Sequence, residues 1–67
     1  MPNNNLTPRE LEVMNLIKLG DTSKKIGYTI GATEQTVKNH ISTILLKLDA
    51  YNRAHAVYLC MKKGLID

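Results

Sequence analysis

Residues 23–42 read SKKIGYTIGATEQTVKNHIS, and the placing of small, apolar and polar residues in this stretch decides the fold. Ile26 and Ile30, four apart, mark the inward face of a short helix beginning at Thr22 or Ser23. Gly31-Ala32-Thr33 breaks it, Thr33 stands ready to cap, and Val37 and Ile41 restart a helical period. Gly27 sits inside the first helix, where glycine costs about 1 kcal/mol relative to alanine, so a packing reason for it is expected. In a helix-turn-helix the second helix crosses the first steeply. A residue facing that crossing must be small, and the tight turn favours one that tolerates positive φ. Gly27 and Gly31 meet these two demands, which predicts a helix-turn-helix over about residues 23–42.

Outward from this stretch the chain punctuates two more helices. Thr7-Pro8-Arg9-Glu10 combines an N-cap Thr, Pro at the first helical position and Glu at the third, the marks of a capping box. Leu11, Val13, Met14, Leu16 and Ile17 follow as a broad apolar stripe, and Gly20 is the expected stop. The recognition-type helix is expected over about 34–48, with Val37, Ile41, Ile44, Leu45 and Leu48 inward. Asp49-Ala50-Tyr51 connects to a fourth helix over about 53–63, capped by Asn52, with Ala54, Val57, Cys60 and Met61 inward, Gly64 as stop, and Leu65 and Ile66 folding back on the core. No strand pattern or repeat occurs. The expected class is all-α, a four-helix domain over residues 6–67, preceded by a polar lead-in or linker stub at 1–5 that includes Asn3-Asn4-Asn5.

Size and composition narrow the function. The chain has 67 residues, of which 43% are hydrophobic, with three Tyr and neither Phe nor Trp. So small a core leaves little room for an active-site cleft and relies on regular helix packing. The single cysteine, Cys60, can close no internal disulfide and has no partners at zinc-ligand spacing; it reads as a small core residue in a reducing cytosol. No apolar run approaches the roughly 20 residues of a membrane span, and the first residues are too short and polar for a signal peptide. The expectation is a cytoplasmic, non-enzymatic domain without metal or cofactor. His55 and Cys60 lie nearly opposite each other on one helix, Glu10 and Glu12 point to different faces, and His40 borders the core, so none of them forms a catalytic or metal-binding set.

Charge placement is more informative than the net +3. Arg9 and Lys18 balance Glu10 and Glu12, whereas residues 22–48 hold Lys24, Lys25, Lys38 and Lys47 against Glu34 alone. A basic patch on the helix-turn-helix suits a polyanion. Spacing residues 100° apart turns Gln35, Asn39, Ser42 and Leu46 away from the core, flanked by Lys38 and Thr43. The N-terminal part of such a helix meets base edges in the major groove, which makes Gln35, Lys38, Asn39 and Ser42 the candidate base contacts: amides can pair with adenine and lysine can reach guanine. Phosphate contacts are expected from Lys24, Lys25, Thr33, Thr36, His40, Thr43 and the first amides of the helix.

Five blocks in register, Leu6–Val13, Gly20, Thr36-Val37-Lys38-Asn39-His40, Lys47-Leu48, and Asn52-Arg53 with Ala56-Val57, resemble the LuxR/FixJ-type (GerE-like) DNA-binding domain. The resemblance implies a bacterial transcription regulator, the output domain of a response regulator or a stand-alone small regulator, that binds double-stranded DNA through helix three. It independently implies base contacts at Lys38, Asn39 and Ser42, and packing or pairing of Glu10 near the helix-turn-helix. It further implies a homodimer through helix four, at least on DNA, for which His55, Ala56, Leu59 and Lys63 are the expected face. RNA polymerase or another LuxR-type regulator are further partners of this kind. The chain departs from the family's usual residues at Met14, Ser23, Lys25, Gly27 and Ala32; Gly27 for alanine and Ala32 for a larger aliphatic are expected to loosen the helix-turn-helix core, and Leu46 stands where relatives are polar. An alternative function is a protein-interaction module that pairs with and inhibits another LuxR-type regulator, favoured by Leu46, Leu59 and the softened turn. A promoter-reading fragment of a sigma factor shares the helix-turn-helix but not all the blocks.

Overall fold

The structure is a computed structural model that describes residues 6–67; the lead-in at 1–5 lies outside the described residues. Four helices follow one another: α1 Pro8–Lys18, α2 Ser23–Ile30, α3 Glu34–Leu48 and α4 Arg53–Lys62. Each begins where a side-chain oxygen meets an orphan amide of the first turn: Thr7 accepts from Glu10 N–H, Thr22 from Lys25, Thr33 from Thr36 and Asn52 from His55. The Glu10 carboxylate in turn accepts from the Thr7 amide at 2.9 Å, completing the capping box.

The helix ends repeat one device. After all four helices a residue with positive φ turns the chain, and the next amide bonds back to a carbonyl five residues earlier: Asp21 to Leu16, Ala32 to Gly27, Ala50 to Leu45 and Leu65 to Cys60. This is the Schellman arrangement. At α3 the left-handed residue is Asp49, with φ 54, the only non-glycine of this kind among the described residues.

Val13, Met14, Ile26, Val37, Ile44, Ala56 and Cys60 are essentially inaccessible, and Ile17, Ile41, Leu48 and Ile66 complete one core shared by all four helices. The C-terminal turn brings Ile66 onto this core, and the Lys18 ammonium donates to the Asp67 carbonyl.

Two expectations need correction. Gly27 does not loosen the turn: a Cβ there would lie 2.6 Å from the Ala32 carbonyl oxygen and 3.2 Å from the Thr33 carbonyl carbon. The turn closes directly over Gly27, and Ala32 N–H donates to its carbonyl at 2.8 Å. Helix α4 is also rotated from the expected phase. Ala54 is exposed and Met61 is 47% exposed, whereas Ala56 is fully buried and Leu59 packs against the core. Apolar residues at 54, 56, 57, 59, 60 and 61 surround this helix, so its own pattern selects no single face; contact with α1 and α3 selects the one centred on Ala56 and Cys60.

Candidate nucleic-acid interface

Helix α3 separates two chemistries along its length. Val37, Ile41, Ile44 and Leu48 are buried, while Gln35, Lys38, Asn39 and Ser42 are all exposed on the other side. The outer groups are linked to one another: Gln35 Nε2 donates to Asn39 Oδ1 at 3.1 Å, and Lys38 Nζ lies 3.6 Å from Glu34 Oε2. The ion pair is half-exposed, and such i,i+4 pairs contribute only about 0.3–0.5 kcal/mol, so Lys38 can exchange it for another anion at small cost. Leu46, 82% exposed, continues the same face toward the C-terminal end.

The residues expected to meet phosphate occupy the flanks. Thr33 and Thr36 stand at the start of α3, where Thr33 Oγ1 accepts from the Thr36 amide and donates to its hydroxyl at 2.9 Å. Thr43 donates its hydroxyl to the Asn39 carbonyl and remains exposed, and His40 is half-buried. Lys24 and Lys25 are exposed in the first turn of α2. Neither forms an ion pair among the described residues.

Behind this face lie two polar pairs that spacing alone does not reveal. Glu10, 5% exposed, accepts from Lys47 Nζ at 2.8 Å and thereby joins the start of α1 to the last turn of α3. Burial raises the carboxyl's pKa, but the Lys47 hydrogen bond and the Thr7 amide outweigh it, and the net shift is below the ordinary 4.5. Ser23, also 5% exposed, accepts from Arg53 Nη2 at 3.2 Å, tying the N-terminal ends of α2 and α4. The family resemblance gave a hint of pairing for Glu10; no sequence signal pointed to Ser23 and Arg53.

Beside α3, an open groove is walled by Lys38 and Ser42 on one side and by Tyr51, Asn52 and Arg53 on the other, over a floor of Ile41 and Leu45.

Residues 4–60 match the luxR family of bacterial regulatory proteins. The chain belongs to this family. The luxR-family domain is 42% identical over 67 residues to the transcriptional regulatory protein LiaR of Bacillus subtilis, covering 100% of this chain and 32% of that protein. It is 43% identical over 63 residues to the quorum sensing-dependent transcriptional regulator RpaR of Rhodopseudomonas palustris, covering 94% of this chain and 26% of that protein. With the transcriptional regulatory protein DegU of Brevibacillus brevis it shares 41% identity over 61 residues, 91% of this chain and 26% of that protein. The chain thus spans about a quarter to a third of the length of these relatives. These luxR-family relatives are transcriptional regulators, and the four helices of this chain are the family's DNA-binding helix-turn-helix domain.

Cys60 is fully buried, and burial pushes its thiol pKa up against the opposing charge of Lys63, which makes it an inert thiol. No cluster of three or more His, Cys, Asp or Glu able to hold a metal occurs among the described residues, and no helix there is long and apolar enough to cross a membrane. On α4 the expected dimer face also changes: Ala56 and Leu59 belong to the core side. His55, half-buried, and Lys63, exposed, remain reachable. What faces outward is an aromatic ladder in which the His55 ring stacks between Tyr51, at 4.8 Å, and Tyr58, at 6.4 Å, with Lys62 Nζ 5.9 Å from the Tyr58 ring. The rotation of α4 explains the exchange.

Proposed function

We propose that the domain, residues 6–67, regulates transcription by placing α3 in the major groove of double-stranded DNA. Gln35, Lys38, Asn39 and Ser42 read base edges. Lys24, Lys25, Thr33, Thr36, His40 and Thr43 hold the flanking phosphates and so fix the register. Two copies meet on DNA through the outer face of α4, where His55 and Lys63 are joined by Tyr58, and their two-fold symmetry matches paired half-sites roughly one helical turn apart. The domain works without catalysis, in the cytoplasm where its DNA resides.

The observation that carries this reading is the two-sidedness of α3: a fully apolar inner face fixes the helix, while amide, hydroxyl and ammonium groups stand exposed together on the other. Inhibition by pairing with another regulator draws less support. Leu59 is packed against the core and the turn over Gly27 is tight, which leaves only Leu46 of the three features that favoured it.

Selection of bound sequences from random DNA tests the reading, with Lys38→Ala and Asn39→Ala alongside. A defined site should be enriched, each variant should lose about 1–3 kcal/mol of discrimination at its own position, and affinity should fall steeply with salt. No enrichment together with a flat salt dependence would overturn it.

A further inference from the structure

The groove between α3 and the loop leading into α4 is lined by an unusual donor set. Lys38, Ser42, Tyr51, Asn52 and Arg53 contribute an ammonium, two hydroxyls, a carboxamide and a guanidinium, and no acidic side chain lines it. The Asn52 oxygen is already used as the cap of α4, accepting from His55 N–H at 2.8 Å, which leaves its NH2 as the group on offer. Arg53 is not a loose surface residue: Nη2 donates to Ser23 Oγ, whose own residue is buried in the first turn of α2. A guanidinium has five donors in a fixed fork, so this one bond orients the fork and leaves most of it free. The same bond brings Arg53 beside the first turn of α2, which carries Lys24 and Lys25.

The two flanks of α3 differ in charge. On the other side Lys47 is consumed by the buried Glu10 at 2.8 Å. On the groove side Glu34 holds Lys38 only through an exposed contact of 3.6 Å. An acceptor-rich anion is therefore drawn to the groove side, and the groove runs alongside the face of α3 that carries Ser42 and Lys38.

We infer that this groove seats one sugar-phosphate backbone of the bound DNA, with Arg53 as the phosphate-clamping residue, oriented by Ser23, and Tyr51 and Asn52 as its neighbours in the contact. The inference rests on the proposed reading of DNA by α3. It assigns the loop before α4 a part in holding DNA, apart from any role of α4 in pairing two copies. Such a contact carries no base information and fixes how deeply α3 sits in the groove.

The test uses the full chain and its selected DNA site, comparing wild type with Arg53→Gln from 50 to 200 mM salt. Removing one phosphate contact lowers the slope of log affinity against log salt by about 0.9. The affinity loss should accordingly be about threefold greater at 50 mM than at 200 mM salt, while the selected sequence stays the same. An unchanged slope and affinity, or a changed sequence preference with an unchanged slope, overturns the inference and leaves the role of α3 intact. Wild-type protein that selects no sequence and shows no salt dependence overturns the underlying reading instead. Should Arg53→Gln fail to fold, NMR titration of wild type with the site decides the matter: the Tyr51, Asn52 and Arg53 amides shift on binding if the groove is occupied, and their silence beside shifting α3 amides overturns it.

Discussion

Replacing Lys47 by Met, and Glu10 by Gln, should show how much of this small domain depends on one buried ion pair. The Glu10 side chain is 7% exposed and that of Lys47 24%, with 2.8 Å between the charged atoms. Lys47→Met strands a carboxylate that is largely shielded from water. Glu10→Gln leaves an ammonium that can reach water, and keeps an oxygen for the Thr7 amide. Breaking a fully buried pair costs about 3–5 kcal/mol; the partial exposure of Lys47 reduces this to about 2–3 kcal/mol for Lys47→Met and about 1–2 kcal/mol for Glu10→Gln. A domain of this length has a total stability of only about 3–10 kcal/mol, and at about 4–8 °C per kcal/mol the Lys47→Met midpoint should fall by about 10–20 °C.

Thermal and urea unfolding followed by circular dichroism would measure both variants, and pH supplies a second signature. The folded pKa of Glu10 lies below its ordinary 4.5, so its contribution is fully present above the unfolded pKa and is lost as pH falls through the folded pKa. In Lys47→Met the opposing effect of burial is left to dominate, the carboxyl pKa rises, and acid protonates Glu10 at little cost. The gap between wild type and Lys47→Met should therefore narrow as pH is lowered from 7 through 4.5. Variants within about 0.5 kcal/mol of wild type, with a gap that does not change over this range, would refute the assignment of the pair as a structural tie.

Three further outcomes follow from the packing. Gly27→Ala forces a Cβ to within 2.6 Å of the Ala32 carbonyl; overpacking of about 1–3 kcal/mol exceeds the roughly 1 kcal/mol of helix propensity gained, so the urea midpoint should fall. Ile44→Ala opens a cavity at a site with 0% exposure and should cost about 2–5 kcal/mol, enough to leave much of the population unfolded by circular dichroism at 37 °C. Asp49→Gly should raise the thermal midpoint, because it relieves a left-handed residue at φ 54 and removes a negative charge from the C-terminal end of α3, a gain of about 0.5–1 kcal/mol.

The position of every helix is legible in the sequence because its determinants are local. Thr7, Thr22, Thr33 and Asn52 each accept from an amide three residues ahead, and such a bond depends on nothing distant. The outward face of α3 is legible for the same reason: all its apolar residues but Leu46 fall on one side, so period alone gives Gln35, Lys38, Asn39 and Ser42 an exposed position. Asp49 escapes this reading, since an aspartate at the end of a helix does not announce positive φ as glycine does.

Tertiary structure decided what local pattern leaves degenerate. Helix α4 carries apolar residues all round, and only the space left by α1 and α3 sets its rotation, burying Ala56, packing Leu59 against the core and exposing Tyr58. Glu10 and Lys47 are 37 residues apart, and Ser23 and Arg53 are 30 apart. Such pairs form because packing delivers two polar groups to one poorly solvated place where each must find a partner. The amino-acid order alone thus determined which segments are helical and which side of α3 is free; the fold determined that Lys47 is taken up by Glu10 while Lys24, Lys25 and Lys38 stay exposed, and that Arg53 is fixed by Ser23.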